Sequence, residues 1–351
     1  MESTGASGQL PGLDRPLLEV EKLQVAFGAG KSRQVAVHDI SLSVGHSEVV
    51  GLVGESGSGK SLTCRSVLRM VPRGGHIRAD TLRFEGRDVL GLTQRQLRSM
   101  RAHEVGMIFQ DPFSSLNPTL RIGRQMIETL RVNADLPREA AQDRAVDLLT
   151  QVEIPDPAAR LRLYPHELSG GMRQRVMIAL SLASNPQLLI ADEPTTALDV
   201  STQAQVLALL RRLRQERNMS VLLVSHDFGV IAEMCDRVVV VYGGFVVESG
   251  TVEEVYTAPA HPYTRALLDA VPTLRPAPDG RRRRGIPGPP LGTVPYTAGC
   301  PFEPRCGFAQ PDCRSVDMSL RPVGQTRATA CPIVASASLA AGPEHVRGAA
   351  S

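Results

Sequence analysis

Four short apolar runs in the chain each end in a polar group. They cover residues 49–53, 105–109, 188–191 and 221–224. Uninterrupted apolar runs of this length are typical of strands in a parallel sheet that is covered on both faces. Ligands of such sheets bind outside the carboxyl ends of the strands. The pattern therefore predicts an α/β fold in which the four polar groups converge on one ligand.

Two other patterns flank these runs. Apolar and polar residues alternate over residues 17–27 and again over 40–44, which predicts a small antiparallel sheet with a turn at 28–33. Apolar positions at helical spacing over 122–130, and again after Pro137 up to Val152, predict two helices. We expect a helical subdomain over about residues 116–167, either as packing for the core or as a lobe that contacts a partner.

The first apolar run leads into a glycine-rich loop. Residues 54–61 fit the pattern G-x-x-x-x-G-K-[ST], and a helix is expected over residues 60–70. Glycines let backbone N–H groups surround an anion, and the helix directs its positive end at the same anion. A glycine-rich turn before a helix is the alternative. We expect this loop to bind phosphate through Gly54, Glu55, Ser56, Gly57, Ser58, Gly59, Lys60, Ser61 and Leu62, with Lys60 on the β- and γ-phosphates and Ser61 on Mg²⁺.

The third apolar run ends in two adjacent carboxylates, Asp192 and Glu193. Neighbouring strand residues point to opposite sides, so the two carboxylates take different roles. Asp192 is suited to hold Mg²⁺, and Glu193 to deprotonate an attacking water. A pair of loop carboxylates without a catalytic role is the alternative for Asp-Glu alone. Beside a phosphate loop, this pair predicts hydrolysis of a nucleoside triphosphate.

Ser169, Gly170 and Gly171 begin another predicted helix. Serine commonly caps a helix, and that role alone is one interpretation. Two glycines directly after the serine leave N–H groups exposed at the positive helix end, which predicts a second anion site.

Composition limits the class of protein. The 351 residues carry a net charge of +3 with both signs interspersed, so no basic stripe indicates nucleic-acid binding. No apolar run reaches eighteen residues, and residues 1–16 lack a hydrophobic signal core, so we expect a soluble chain in the cytosol. Residues 281–284 are a run of arginine, which we interpret as a solvated linker, with contact to anionic lipid as the alternative.

The order of these motifs resembles the ATPase subunit of an ABC transporter. The resemblance covers about residues 17–250 and includes the phosphate loop, Gln110, residues 168–174, Asp192-Glu193, residues 197–199 and His226. Residues 109–118, 168–179 and 261–264 further resemble the dipeptide and oligopeptide importer branch. The segment Gly-Gly-Met-Arg-Gln departs from the Gly-Gly-Gln of many members, but is common in this branch.

The resemblance implies the fold and further roles. The fold would be a P-loop NTPase with a mostly parallel RecA-like core, a small antiparallel subdomain and a helical subdomain. Two ATPase subunits would pack head to tail, so that Ser169, Gly170 and Gly171 of one complete the γ-phosphate site of the other. Phe27 would stack on adenine, unless it is a core aromatic. Gln110 would contact Mg²⁺ and water, His226 the γ-phosphate, and Asp199 would signal across the dimer.

A cysteine-bearing extension is expected after the ATPase domain. Cys300, Cys306, Cys313 and Cys331 are spaced C-x5-C-x6-C-x17-C, unlike the C-x2-C of zinc ribbons. Four thiolates in a reducing compartment suit an iron–sulfur cluster or zinc, and free thiols are the alternative. Because the importer branch carries a similar tail with a [4Fe-4S] cluster in some members, the resemblance favours that cluster. Cys64 and Cys235 are interpreted as packing residues.

These observations give one domain plan and one function. We expect a disordered leader over 1–16, an ABC ATPase domain over 17–255, an extension over 256–334 and a loose tail over 335–351. The function would be the ATP-hydrolysing motor of a peptide importer on the cytoplasmic face of the inner membrane. Its partners would be a second ATPase subunit (a copy or a paralogue), two permease subunits and an extracytoplasmic substrate-binding protein, with no nucleic acid. An ABC-type ATPase acting on DNA or ribosomes and a non-hydrolysing regulatory subunit are the alternatives; the intact Glu193 and His226 disfavour the second.

Overall fold

A computed structural model of the chain describes residues 15–111, 115–133, 136–196, 198–270, 285–286, 288–292 and 296–334. Except for residues 15 and 16, the expected leader lies outside these ranges, as do the expected tail and the arginine run at 281–284.

The strands belong to one connected sheet. In chain order they are β1 (Leu18–Phe27), β2 (Gln34–Val44), β3 (Val49–Val53), β4 (Gly75–Arg78), β5 (Thr81–Phe84), β6 (Arg87–Asp88), β7 (Val105–Ile108), β8 (Leu188–Asp192), β9 (Ser220–Ser225), β10 (Arg237–Tyr242), β11 (Phe245–Thr251), β12 (Arg321–Pro322) and β13 (Ala328–Thr329).

The four predicted apolar runs form adjacent parallel strands. They are β3, β9, β8 and β7 in the order of the sheet, and a further strand, β10, lies on the other side of β3; each neighbouring pair is parallel. Successive residues of β3 face opposite sides: Val49 and Val53 join one apolar cluster, whereas Val50 and Leu52 join the other. The prediction of a parallel sheet covered on both faces is therefore confirmed.

The predicted antiparallel sheet is also confirmed. Strand β1 pairs with β2, β4 and β5, and β5 pairs with β6. This sheet joins the parallel core through one bridge between Asp39 of β2 and Phe245 of β11. Further along β11, β13 pairs with Glu248 and Ser249 and adds residues 328–329 of the C-terminal region to the same sheet.

The helices lie between the strands and after them. They are α1 (Lys60–Val67), α2 (Gln94–His103), α3 (Ile122–Asn133), α4 (Arg138–Gln151), α5 (Pro157–Arg160), α6 (Gly170–Ser181), α7 (Val200–Arg217), α8 (Phe228–Met234), α9 (Val252–Thr257) and α10 (Pro262–Ala270). In the region expected to be a helical subdomain, buried residues of α3 and α4 belong to the same apolar cluster as Val49 and Val53.

The expected extent of the helix after the phosphate loop is wrong at its end. The sequence predicted residues 60–70, but α1 ends at Val67 and Arg69 has a positive φ of 50°. The guanidinium of Arg101 in α2 donates hydrogen bonds to the carbonyls of Leu68 and Arg69. These carbonyls are therefore satisfied by a distant side chain rather than by another helical turn.

Among the described residues, no helix has both the length and the apolar character needed to span a bilayer.

Candidate active site

The phosphate loop links β3 to α1 in a conformation that depends on glycine. Gly57 and Gly59 have φ of 82° and 102°, a region that other residues rarely adopt. At Gly54, a Cβ atom would lie only 2.1 Å from the carbonyl oxygen of Val241, so a side chain is excluded by contact. The loop is therefore fixed in shape both by its own glycines and by the end of β10.

Lys60, the first residue of α1, lies inside this loop. Its Nζ donates hydrogen bonds to the carbonyls of Gly54, at 2.7 Å, and Glu55, at 2.8 Å. Burial lowers the pKa of Lys60, and the negative charges of Glu193 and Asp192 oppose that shift. The loop thus encloses a cation next to two carboxylates.

Ser61 and Asp192 form the second part of the site. The Ser61 hydroxyl donates to Asp192 Oδ1 at 2.9 Å, which joins the start of α1 to the end of β8. Asp192 Oδ2 is buried and has no hydrogen-bond partner in the described part of the chain. Burial raises the pKa of Asp192. A hydroxyl beside a buried carboxylate oxygen without a partner fits a magnesium ion, which prefers oxygen ligands.

Three side chains meet on one oxygen of Glu193. Gln110 Nε2 donates to Glu193 Oε2 at 3.1 Å, and the Thr196 hydroxyl donates to the same oxygen at 2.8 Å. His226 Nδ1 lies 3.3 Å from it. The polar groups that follow β7, β8 and β9 are therefore brought together, as the sequence pattern predicted.

The backbone of Glu193 is also unusual. Its φ is 48°, in the left-handed region that a residue with a side chain seldom adopts. Its N–H donates to the carbonyl of Val224 in β9 at 3.1 Å. Strained conformations of this kind persist where the surrounding structure holds them, often at functional sites.

Some of these residues line one open pocket, whereas Asp192, Thr196 and His226 do not. The predicted residues that line it are Ser56, Gly57, Gly59, Lys60, Ser61, Leu62, Gln110 and Glu193. The C-terminal region supplies another wall, which includes Tyr296, Cys300 and Pro301. Phe27 is not among the lining residues. Its ring lies close to Gly75, where an added Cβ atom would be only 3.0 Å from the ring. Gly54, Glu55 and Ser58 also lie outside the lining, although they belong to the loop.

Ser169, Gly170, Gly171 and Asp199 lie in a separate pocket. Ser169 caps α6, with its hydroxyl accepting from Met172 N at 3.3 Å. The Asp199 carboxylate accepts from the backbone N–H and the hydroxyl of Thr202, and the bond from the backbone N–H is the largest cause of its lowered pKa. The two pockets share no lining residue, so within one chain the second anion site and the phosphate loop do not meet.

The sequence did not predict several contacts of the phosphate loop. Arg305 forms an ion pair with the Glu55 carboxylate, with the Arg305 Nη1 to Glu55 Oε2 distance at 2.7 Å. Tyr263 accepts a hydrogen bond from the Glu55 N–H at 2.7 Å. Tyr263 belongs to the motif His-Pro-Tyr-Thr at residues 261–264, but the motif did not indicate that Tyr263 contacts the phosphate loop. Thr196 lies shortly after the carboxylate pair, and no role was predicted for it.

The metal site expected on the four C-terminal cysteines has no support in the described part of the chain. Among the described residues, no group of three or more His, Cys, Asp or Glu side chains is placed to hold a metal ion. Cys313 and Cys331 are buried, and Cys300 and Cys306 are partly exposed. Burial raises the pKa of Cys300 to about 12 and also raises the pKa of Cys306 and Cys331. Burial thus disfavours the thiolate form of Cys300, Cys306 and Cys331, which is the form that binds metals.

The other two cysteines lie in the core. Cys64 is fully buried in α1, and burial raises the pKa of both Cys64 and Cys235. Their interpretation as packing residues agrees with these positions.

Comparison with known proteins identifies the family. Residues 37–196 match the family model described as ABC transporter, and residues 247–313 match the model described as oligopeptide/dipeptide transporter, C-terminal region. The dipeptide transport ATP-binding protein DppD of Escherichia coli is 45% identical over 90% of this chain and 96% of its own length. The chain belongs to the ABC transporter family. Within it, this ABC ATPase belongs to the dipeptide and oligopeptide importer branch, as the sequence motifs indicated.

Two further comparisons agree. The oligopeptide transport ATP-binding protein OppD of Salmonella typhimurium is 42% identical to this ABC ATPase, over 90% of this chain and 93% of the relative. The ATP-binding cassette MJ0796, solved as a dimer in a post-hydrolysis state with ADP and Pi, matches with a TM-score of 0.59 and 26% identity. That match covers 67% of this chain and 98% of the other. The ABC ATPase fold and the classification as an ATP-hydrolysing subunit are therefore confirmed.

Proposed function

We propose that this ABC ATPase drives the import of di- or oligopeptides by hydrolysing ATP at a site shared with a second ATPase subunit. The observation that carries the hydrolytic part is the meeting of Gln110, Thr196 and His226 on one oxygen of Glu193, next to the phosphate loop. Peptide import is supported by the names of relatives that align over 90% of the chain. An ABC-type ATPase acting on DNA or ribosomes is not favoured, since these relatives are transport proteins.

In the proposed site, the loop and its helix bind the triphosphate. Backbone N–H groups of the glycine-rich loop, other than that of Glu55, and the positive end of α1 would face the phosphates, and Lys60 would neutralise the β- and γ-phosphates. Ser61 and Asp192 would hold the magnesium ion. When bound, that ion supplies charge stabilisation for the phosphoryl transfer. Phe27 stays a prediction for the adenine contact.

Glu193 is the proposed general base. Its carboxylate would take a proton from the water that attacks the γ-phosphorus as the bond to the β-phosphate oxygen breaks. Gln110, Thr196 and His226 fix the position of the carboxylate, and a fixed base loses less orientational freedom during reaction. Gln110 would also contact the magnesium ion, and His226 would also contact the γ-phosphate.

The second anion site requires another chain. Ser169, Gly170 and Gly171 would cover the γ-phosphate bound to the partner's phosphate loop, and Asp199 would contact the same interface. ATP then favours the closed dimer because it contacts both subunits only in that state. Hydrolysis and phosphate release remove those contacts and allow the dimer to open.

Transport requires partners beyond the ATPase pair. Two permease subunits would supply the membrane path, and an extracytoplasmic substrate-binding protein would deliver the peptide. This places the chain at the cytoplasmic face of the inner membrane as a peripheral subunit.

The domain plan is part of the same proposal. The ATPase domain would cover residues 17–255, with its helical subdomain at about 116–167, and the cysteine-bearing extension would cover 256–334. ATP and magnesium are the cofactors that we assign. The [4Fe-4S] cluster stays a prediction from the sequence, to be tested by visible absorbance and iron content after anaerobic purification; protein that lacks both would contradict it.

The replacement Glu193→Gln tests the hydrolytic proposal. Glutamine keeps the size and an acceptor oxygen of glutamate but cannot accept the proton. We expect kcat for ATP to fall by about a hundredfold or more, the usual scale for loss of a general base. Affinity for MgATP should stay within about twofold, because the phosphate contacts remain. The measurement is steady-state hydrolysis and equilibrium binding with the chain purified together with its partner subunits.

The control is Glu216→Gln on the exposed side of α7, where Glu216 forms a surface ion pair with Arg212. This variant should hydrolyse ATP at the parent rate. Turnover by Glu193→Gln equal to that of Glu216→Gln would exclude Glu193 as the base.

A further inference from the structure

The C-terminal part of the chain holds one residue of the phosphate loop at two points. Glu55 donates its backbone N–H to the Tyr263 hydroxyl at 2.7 Å. Its carboxylate accepts two hydrogen bonds from Arg305, at 2.7 Å and 3.1 Å. The two partners come from α10 and from the segment between Cys300 and Cys313. Neither contact involves the residues that line the pocket on the nucleotide side.

Both partners are themselves held firmly. The Arg305 side chain is 6% exposed, and its guanidinium also donates to the Tyr242 hydroxyl at 3.2 Å and to the carbonyl of Ile286 at 3.3 Å. Tyr263 is fully buried, and its ring lies 4.5 Å from that of Tyr242 and 5.3 Å from that of Phe302, centroid to centroid. Buried side chains in this kind of packing have little freedom, so they act as fixed points for Glu55.

The turn before Tyr263 is anchored to the central sheet. The buried carboxylate of Glu248 in β11 accepts from the N–H groups of Ala260, at 2.7 Å, and His261, at 2.8 Å. The N–H of Tyr263 in turn donates to His261 Nδ1 at 3.1 Å. A continuous set of hydrogen bonds thus runs from β11 through this turn to the phosphate loop.

We propose that Arg305 and Tyr263 are positioning residues for the nucleotide site, through which the C-terminal region holds the phosphate loop in the shape that receives ATP. This proposal rests on the proposed function, because it requires that the loop binds MgATP. A loop that is already ordered loses less conformational entropy when ATP binds, and its affinity is correspondingly higher. Arg305 suits the role since guanidinium binds a carboxylate at two points and stays charged.

The test compares MgATP binding by the full chain and three variants. Removing the charged hydrogen bonds in Arg305→Met should raise the Kd for MgATP by about tenfold or more. Arg305→Lys should restore part of the affinity, since lysine keeps the charge without the two-point geometry. Tyr263→Phe removes one oxygen atom and should raise the Kd by about threefold. If Arg305→Met does not fold, the other two variants decide.

A second readout separates positioning from general stability. Saturating MgATP raises the midpoint of thermal unfolding of the parent because it binds only the folded state. We expect this increase to be smaller in Arg305→Met. Combining Arg305→Met with Glu55→Gln should add little to the Kd change of either variant alone, because both remove the same contact.

The matched control is Arg237→Met. Arg237 pairs with Glu48 at the opposite end of β3 from the phosphate loop, with the Nε to Oε1 distance at 2.5 Å. This variant should lose stability and keep the parent Kd. An Arg305→Met variant with the parent Kd and the full ATP-dependent increase would overturn this proposal alone. A parent chain that does not bind MgATP would overturn the proposed function and this proposal with it.

Discussion

Glu193 is the residue on which the proposed chemistry depends. It lies at the end of a buried strand, with a left-handed backbone and one oxygen shared by Gln110, Thr196 and His226. Sequence reasoning predicted the convergence of three of these residues because each directly follows an apolar strand. It did not predict Thr196, because nothing in the local pattern separates a hydroxyl that contacts the carboxylate from one that faces elsewhere.

Thr196→Val tests whether this positioning matters for catalysis. The change keeps the shape of the side chain and removes the hydrogen bond to Glu193 Oε2. We expect kcat for ATP to fall by about tenfold, the scale of one hydrogen bond to a charged group, while KM changes little. Steady-state kinetics of the copurified assembly provide both numbers.

Thr195→Val is the control for this experiment, since the hydroxyl of Thr195 is not hydrogen-bonded to Glu193 within the described chain. It should keep the parent kcat. Equal kcat values for the parent and Thr196→Val would show that Thr196 has no part in placing the carboxylate.

At the scale of elements, the periodic segments were predictable and the contacts between distant segments were not. Strands β3, β7, β8 and β9 and helices α3 and α4 follow from patterns that are local in the sequence. The end of α1 was misplaced because Arg101 satisfies its carbonyls from another helix. The contact of Arg305 with Glu55 joins residues 250 positions apart, and no local pattern signals such a pair.

The turn that precedes α10 makes a pH-dependent contribution to stability. His261 is buried, and burial lowers its pKa from the ordinary 6.5 to about 3. A histidine that is kept neutral in the folded state stabilises the fold fully above its unfolded pKa. That stability is lost as the pH falls from about 6.5 toward 3, because the unfolded chain then binds a proton that the folded chain does not.

Replacing His261 by Asn tests this effect. Asparagine keeps an acceptor for the Tyr263 N–H but does not titrate. Between about pH 7.5 and about pH 5.5, the parent should lose about 1.4 kcal/mol more of its free energy of unfolding than the variant. Urea unfolding at each pH measures the difference. Buried Glu248 is present in both proteins, so its titration cancels in the difference between their free energies of unfolding. Parallel pH profiles of the free energy of unfolding would contradict the prediction.

At the scale of the whole molecule, the two regions that we propose to contact phosphate lie in separate pockets of the chain. The phosphate loop and Glu193 line one pocket, and Ser169, Gly170 and Asp199 line another. The sequence indicated two anion sites, and the resemblance to ABC transporter ATPases implied that the second acts on a partner chain. A protein with half of a site on each of two surfaces can couple nucleotide binding to association, which is what a transport motor requires.

The most direct test of this account is the structure of Glu193→Gln, purified with its copurifying subunits and loaded with MgATP. We expect one ATP between the phosphate loop of this chain and the serine–glycine helix start of the second ATPase subunit. Residues 169–171 of this chain should then face the second subunit's phosphate loop. An ATP molecule contacted by this chain alone, or residues 169–171 facing a surface without nucleotide, would contradict the account.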